Sequence, residues 1–434
     1  MKTLKKVWGA KELRNRILFT LIMLIFLRMV SQITVPGVNS EFLKSYFGDN
    51  EAFNLMNAFT GGGLERLSVF ALGVTPYITS SIIIQLFTIS FPRLEQLAKE
   101  GESGRKKLTK YTQYVTLVLS LVSSISMVIG FRNQMLITKN YLTYAVVVAT
   151  LTGGSMILVW LGNRITEKGI GNGISMILLF NILSRMPQDM KTLYECFMQG
   201  KTWTKMTMAG LVIAMTIVVV ICLTLILNSA ERRIPVVYTQ KMQGRRFAGD
   251  GASNIPMKVN TAGVMPVIFA SSIMSFPVVI AQFFTVDYSS IGGKILTMLN
   301  SGSWCKPSQP IYSIGLIIYI VLLFVFAYFY TSITFNPLEV ANNMKKQGGF
   351  IPGIRPGKPT SDYLNKILNY IVFIGAVGLT IVAIVPILAS GLLDVSRISF
   401  SGTSLIIIVG VVLETIKAVE SQMLVRYYKG FLND

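Results

Sequence analysis

Apolar residues in this chain do not alternate with polar ones, nor do they recur at the three- and four-residue spacing of a surface helix. They come in long blocks separated by short stretches rich in Lys, Arg, Gly and Pro. About ten blocks can be drawn, near residues 17–35, 67–91, 112–131, 141–162, 172–186, 206–227, 261–284, 311–333, 367–390 and 403–424. A run of about 20 apolar residues is what a helix needs to cross the hydrocarbon of a bilayer. The fifth block, GNGISMILLFNILSRM, is short, and the tenth carries Glu414, Lys417 and Glu420 in its second half. The pattern predicts an all-α polytopic membrane protein with ten transmembrane helices.

Two blocks open almost alike. GVTPYITSSI at Gly73–Ile82 starts near the second span, and GVMPVIFASSI at Gly263–Ile273 starts the seventh. With alternating spans the two run in opposite senses, as in an inverted-topology repeat of five plus five helices. Two unrelated proline-bearing spans would also read this way. On the repeat reading the halves are residues 1–190 and 191–434, joined by a polar loop around 187–205 that could act as a hinge. Pro76 and Pro266 each remove a backbone donor and are expected to bend or break their helices near the start. Upstream of the second span, GGGLERLSVFALG reads as a short, glycine-flanked helix over Leu64–Leu72, free to fold back; an ordinary loop fits the local sequence equally well.

Charge adds orientation. The chain has 52% hydrophobic and 14% charged residues, and Lys and Arg exceed Asp and Glu by 40 to 20. With the N-terminus placed in the cytoplasm, roughly two thirds of the basic residues fall on the cytoplasmic side, as the positive-inside rule requires. Both termini are then cytoplasmic. The basic start of the chain resembles a secretory signal, but no small-residue cleavage site follows it and nine further spans do, so that reading is set aside. Cys196, Cys222 and Cys305 lack metal-site spacing and there is no histidine. Disulfide frameworks, metal ligation and histidine-based catalysis are therefore unsupported, and neither an enzyme nor a cofactor is expected.

Two cytoplasmic loops are longer than topology needs. The first, within 229–260, contains ERRIPVVYTQKMQGRRFAG, whose alternation at Ile234–Tyr238 predicts a strand or hairpin. The second, within 335–366, contains GFIPGIRPGK, where paired Pro/Gly turns would hold Arg355 and Lys358 out on a tip. Exposed arginines on such loops suit a large acidic partner, RNA or an acidic protein surface; binding to anionic lipid is the plainer alternative.

Several segments in order, SVFALGVTPYITSSIIIQL, KEGESGRKKLTKYTQY, WLGNRITEKGIGNGIS, GRRFAG, PMKVNTAGVMPVIFASSI, NPLEVANNMKKQGGFIPGIRPG and GTSLIII, resemble the SecY family. That family provides the central subunit of the bacterial Sec protein-conducting channel, and the likeness spans essentially all ten blocks. It implies a pore ring of aliphatic side chains at Val74, Ile78, Ile174, Leu178, Ile268 and Ile407, with Val74 and Leu178 departing from the commoner isoleucine. It implies a plug at about 60–72, including Gly61, Gly62, Gly63, Leu64 and Leu67, and a lateral gate between the second and seventh spans with Thr79, Gln85, Asn260, Ser272 and Phe276. Arg245, Arg246, Arg355 and Lys358 would dock the motor ATPase SecA or the ribosome. Implied partners are SecE and SecG, SecA, the ribosome, signal-bearing preproteins and membrane lipid, and the implied location is the bacterial cell membrane. A secondary transporter remains the competing class. It would be expected to carry ionisable residues at mid-span, where only Arg28 lies outside the tenth block.

Overall fold

The computed structural model describes residues 10–38, 54–130, 140–198, 203–238, 252–281, 290–300, 303–305, 310–392 and 402–430. Its helices are α1 Lys11–Val30, α2 Asn54–Phe59, α3 Thr75–Ser90, α4 Pro92–Lys99, α5 Glu102–Gly130, α6 Tyr141–Lys168 and α7 Gly173–Met198. They continue as α8 Trp203–Ser229, α9 Met265–Ala281, α10 Ile291–Leu299, α11 Ile314–Thr334, α12 Pro337–Lys346, α13 Lys358–Leu392 and α14 Gly402–Gly430. Each apolar block of the sequence holds one of these helices. Four helical stretches, Glu102–Gly130, Tyr141–Lys168, Pro310–Lys346 and Lys358–Leu388, are long and apolar enough to cross a membrane, judged by length and composition among the described residues.

The surface is the reverse of a water-soluble protein's. Ile22, Met29, Leu211, Ile226 and Ile317 stand at least 60% exposed on the outer faces of their helices, a distribution that only lipid tolerates. Inside, the helices approach closely along small and hydroxylated residues. On α5 the buried Thr112, Thr116, Ser120 and Ser124 recur at every fourth place, on one face of the helix. Most of their hydrogen bonds go back to their own helix, as in Thr116 Oγ1 to Thr112 O at 2.7 Å. Ser124 also meets Thr152 Oγ1 of α6 at 2.9 Å, the kind of interhelical contact that replaces the missing hydrophobic drive within a bilayer. The helix α3 packs against α5 and α9, α9 against α11 and α14, and α14 against α7 and α8.

The two long basic loop sequences form one small platform. Strands β1 (Glu231–Tyr238) and β2 (Ala252–Lys258) pair antiparallel, with Ile234 opposite Ile255. A short β3, Gly349–Phe350, joins the other edge of β1 with Val237 opposite Phe350. Ile234 and Val236 point inward and pack with Met344, Ile351 and Leu364, so the two loops share a core. The hairpin was readable from alternation; the third strand, two residues long, carries no pattern of its own.

Two expectations need correction. The helix of the fifth apolar block, α7, does not stop near residue 186 but continues to Met198, with Pro187 inside it. One proline removes one intrahelical bond, and the turn is braced by Arg185 Nε at 3.5 Å from Asp189 Oδ1. The polar hinge expected over 187–205 is thus helical through Met198. Second, Leu64–Leu72 is a run of turns rather than a helix. Gly61 (φ 64), Gly62 (φ 82) and Leu67 (φ 42) lie in the left-handed region, which an α-helix cannot use.

Candidate functional site

The two similar sequences build the same local structure. Gly73 (φ 58) and Gly263 (φ 64) each turn the chain in the left-handed region, where glycine alone is unstrained. Two residues later α3 begins at Thr75 and α9 at Met265, each with proline as the second helical residue. Ile78 N bonds Val74 O at 3.0 Å and Ile268 N bonds Val264 O at 3.2 Å. The prolines therefore do not break these helices. In the first turn the missing N–H would have had no helical acceptor anyway, and the fixed φ favours initiation.

This start places aliphatic side chains on the inner face. Val74, the residue just before α3, and Ile78, one turn on within it, are 0% and 5% exposed. Leu178 on α7, Ile268 on α9 and Ile407 on α14 are buried in the same contiguous apolar cluster, and the half-buried Ile174 packs against it. The six residues assigned by resemblance thus belong to, or pack against, one extended apolar cluster that also takes in residues as distant as Leu24, Tyr319 and Leu379; none of the six carries a charge or a hydrogen-bonding side chain.

The segment named as plug lies beside them. Leu64 and Leu67 pack with Val35, Met127, Val147 and Leu151 in a second cluster, while Phe59 and Phe70 belong to the first. Gly61 and Gly63 are buried and Gly62 half-buried. Backbone pairing holds the far end: Val35 N bonds Leu67 O and Val69 N bonds Ile33 O, both at 3.0 Å. Arg28 of α1, the charge within the first apolar block, donates Nη1 to Gly61 O at 2.9 Å.

The seam between α3 and α9 is closed by direct packing. Its polar groups bond within their own helices: Thr79 Oγ1 donates to Thr75 O at 3.1 Å and Gln85 Nε2 to Ser81 Oγ at 3.0 Å. Gln85 Oε1 and the buried Ser272 Oγ have no hydrogen-bond partner. Phe276 is 48% exposed on its outer edge. Asn260 is buried, but its Nδ2 donates to Asn228 Oδ1 of α8 at 2.8 Å, so that bond lies off the α3–α9 seam.

A constellation that sequence reading passed over sits next to Asn260. Lys417 Nζ donates to Asn228 O at 3.0 Å. A polar cavity of about 210 Å³ is lined there by Asn228, Lys258, Asn260, Tyr330, Glu414 and Lys417. The charges of the tenth block were visible; that they converge on the start of α9 was not, because the partners lie on distant segments. On the loop tips, Arg355 and Lys358 are exposed, Lys358 being the first residue of α13. Arg245 and Arg246 lie outside the described residues.

Comparison with known proteins places this geometry. A solved SecY structure, reported with the finding that its plug domain stabilises the closed state of the translocation channel and maintains a membrane seal, superposes with TM-score 0.63 at 16% identity, over 94% of this chain and 92% of that one. Sec61 in the canine ribosome–channel complex from the endoplasmic reticulum gives the same TM-score, identity and coverage. At that identity the likeness establishes the fold alone, the α-helical, multi-pass architecture of those channel structures. Sequence then fixes the family. The profile of SecY matches residues 68–416, and the protein translocase subunit SecY of Staphylococcus epidermidis is 38% identical over 439 residues, covering 99% of each chain. The chain belongs to the SecY family, as a translocation-channel subunit rather than a catalyst.

Proposed function

We propose that this chain is the pore of a bacterial Sec translocase, passing unfolded preproteins lengthwise through an aliphatic collar and releasing apolar segments sideways between α3 and α9. The observation that supports the reading is that Val74, Ile78, Leu178, Ile268 and Ile407, drawn from both halves, lie buried in one extended apolar cluster, with Ile174 packed against it. Branched aliphatic groups form no hydrogen bonds with a passing chain, so they close around any sequence, and when empty they disfavour water and ions by dewetting. The halves are residues 1–190 and 191–434, related by inverted topology, with ten spans and both termini cytoplasmic. The repeated glycine–proline starts of α3 and α9 support that symmetry. Residues 60–72 act as the plug over the collar. Thr79, Gln85, Asn260, Ser272 and Phe276 line or flank the gate.

The channel is passive, and its energy comes from a motor ATPase of the SecA type or from a translating ribosome docked on the β1–β2–β3 platform. The exposed Arg355 and Lys358 on its edge, with Arg245 and Arg246, supply the basic contacts, and small subunits of the SecE and SecG type complete the assembly. A transporter is disfavoured by the use made of the ionisable groups. Arg28 is engaged with a backbone carbonyl, and Glu414 and Lys417 line the cavity at the start of α9. The test is reconstitution in liposomes with the small subunits, the motor, ATP and a signal-bearing preprotein. The preprotein becomes protease-protected only when this chain is present; protection that does not depend on it refutes the assignment.

A further inference from the structure

The segment over the collar is also held by a polar network. Asn57, fully buried at the end of α2, donates Nδ2 to Glu65 Oε2 at 3.1 Å and accepts from Glu65 N at 3.4 Å. Arg185 of α7 places Nη1 3.5 Å from the same Glu65 Oε2, and its Nε lies 3.5 Å from Asp189 Oδ1. The side chains of Arg185 and Asp189 are 11% and 5% exposed and that of Glu65 25%. One turn before Arg185, the buried Asn181 donates Nδ2 to Phe59 O at 2.8 Å.

Charges this far from water are costly unless paired, so their arrangement needs a reason. Glu65 belongs to the glycine-rich segment, whereas Arg185 and Asp189 are four residues apart on α7, whose earlier turns supply Ile174 and Leu178 to the collar. Glu65 and Arg185 meet at ionic distance, and Arg185 Nε makes no hydrogen bond. A permanent strut would need one carboxylate. The second, on the arginine's own helix, keeps the guanidinium paired after Glu65 leaves, which lowers the cost of separation.

We infer that Arg185 is a positioning residue that latches residues 57–65 closed through Glu65, with Asp189 as the acceptor that holds the arginine when the latch opens. This rests on the plug reading above. Pairing sets the resting open probability of the channel, and a translocating chain that displaces Glu65 hands Arg185 over to Asp189.

The experiment measures ion conductance of the assembled channel in planar bilayers without substrate. Glu65→Gln and Arg185→Gln each raise resting conductance by about tenfold, the double variant raises it no further than either single one, and Arg185→Lys restores most of the seal. Asp189→Asn removes the competing acceptor and leaves resting conductance at or below that of the unaltered channel. A leak from Asp189→Asn equal to the others would mean a static strut and overturn the handover. Additive effects of the two Gln changes, or no leak from either, would overturn the latch. Deletion of residues 61–67 separates the two readings: if it leaks while the point variants seal, the plug stands and the latch falls; if it also seals, the plug reading falls. Should Arg185→Gln not yield a monodisperse complex, Glu65→Gln carries the measurement, since its partly exposed side chain can be changed at little cost to folding.

Discussion

The openings of α3 and α9 share a left-handed glycine, a proline at the second helical place and an isoleucine two places after it, yet their glycines face different neighbours. A Cβ on Gly73 would meet Thr60 Cγ2 at 2.9 Å, at the root of the segment over the collar. A Cβ on Gly263 would meet Glu414 Oε1, also at 2.9 Å, on α14. One copy is thus fitted against the outer closure and the other against the polar cavity beside the β platform. On the proposed function, equal backbones with unequal neighbours give the seam two inputs, one from the segment around Thr60 and one from the side of Glu414 and the β platform.

The comparison breaks at once if the two elements need not part. Cysteines at Thr79 and Phe276, Thr79→Cys with Phe276→Cys, joined by a bifunctional thiol reagent, are expected to abolish preprotein translocation, and reduction of a cleavable linker should restore it. Full activity in quantitatively cross-linked channels would show that α3 and α9 do not separate. Next in size is Ile268→Asp. A carboxylate among chargeless side chains favours water in the constriction, and resting conductance is expected to rise by about tenfold, the factor that ~1.4 kcal/mol of easier wetting brings. A reconstituted channel that stays equally tight would take Ile268 out of the collar.

The glycines sharpen the comparison directly. Alanine at either position is strained by about 1–2 kcal/mol in the left-handed region, so both variants lose similar stability in a thermal melt. Their functional signatures should differ. Gly73→Ala pushes on Thr60 and is expected to raise resting conductance. Gly263→Ala pushes on Glu414 and should instead change coupling to the motor, read as translocation per ATP hydrolysed. Identical phenotypes would mean that the two starts are equivalent and that their neighbours are incidental.

Much of this was legible in the sequence, and unevenly so. Membrane helices announce themselves because burial in lipid demands long apolar runs, and the SecY-like segments identified the family that the profile and the curated relatives then showed. What failed was local geometry. The run Leu64–Leu72 has helix-compatible composition, but positive φ at Leu67 within it, and at Gly61 and Gly62 just before it, breaks it into turns. Pro187 looked like a terminus because proline usually is one, yet the braced helix runs past it to Met198. Pairings such as Arg28 with Gly61 O, Asn260 with Asn228 and Arg185 with Glu65 join segments tens of residues apart or more. A single sequence offers no periodicity that could reveal them.

The smallest expected effect tests the input on the side of the β platform. Arg355 is exposed in the turn between β3 and α13, and its carbonyl accepts from Thr360 Oγ1 at 2.8 Å, a bond that does not depend on its side chain. Arg355→Glu should therefore leave assembly and thermal stability unchanged. If the platform docks an acidic partner, reversing one rim charge weakens that contact by about 1 kcal/mol, roughly fivefold in affinity, with the deficit shrinking as salt screens it. Paired with Gly263→Ala, it should add little to a coupling defect if both act through the same input, and add fully if they act separately. An Arg355→Glu channel that binds its motor and ribosomes as before would remove the loop tip from the docking surface and leave the Gly263 side of the seam without an identified signal.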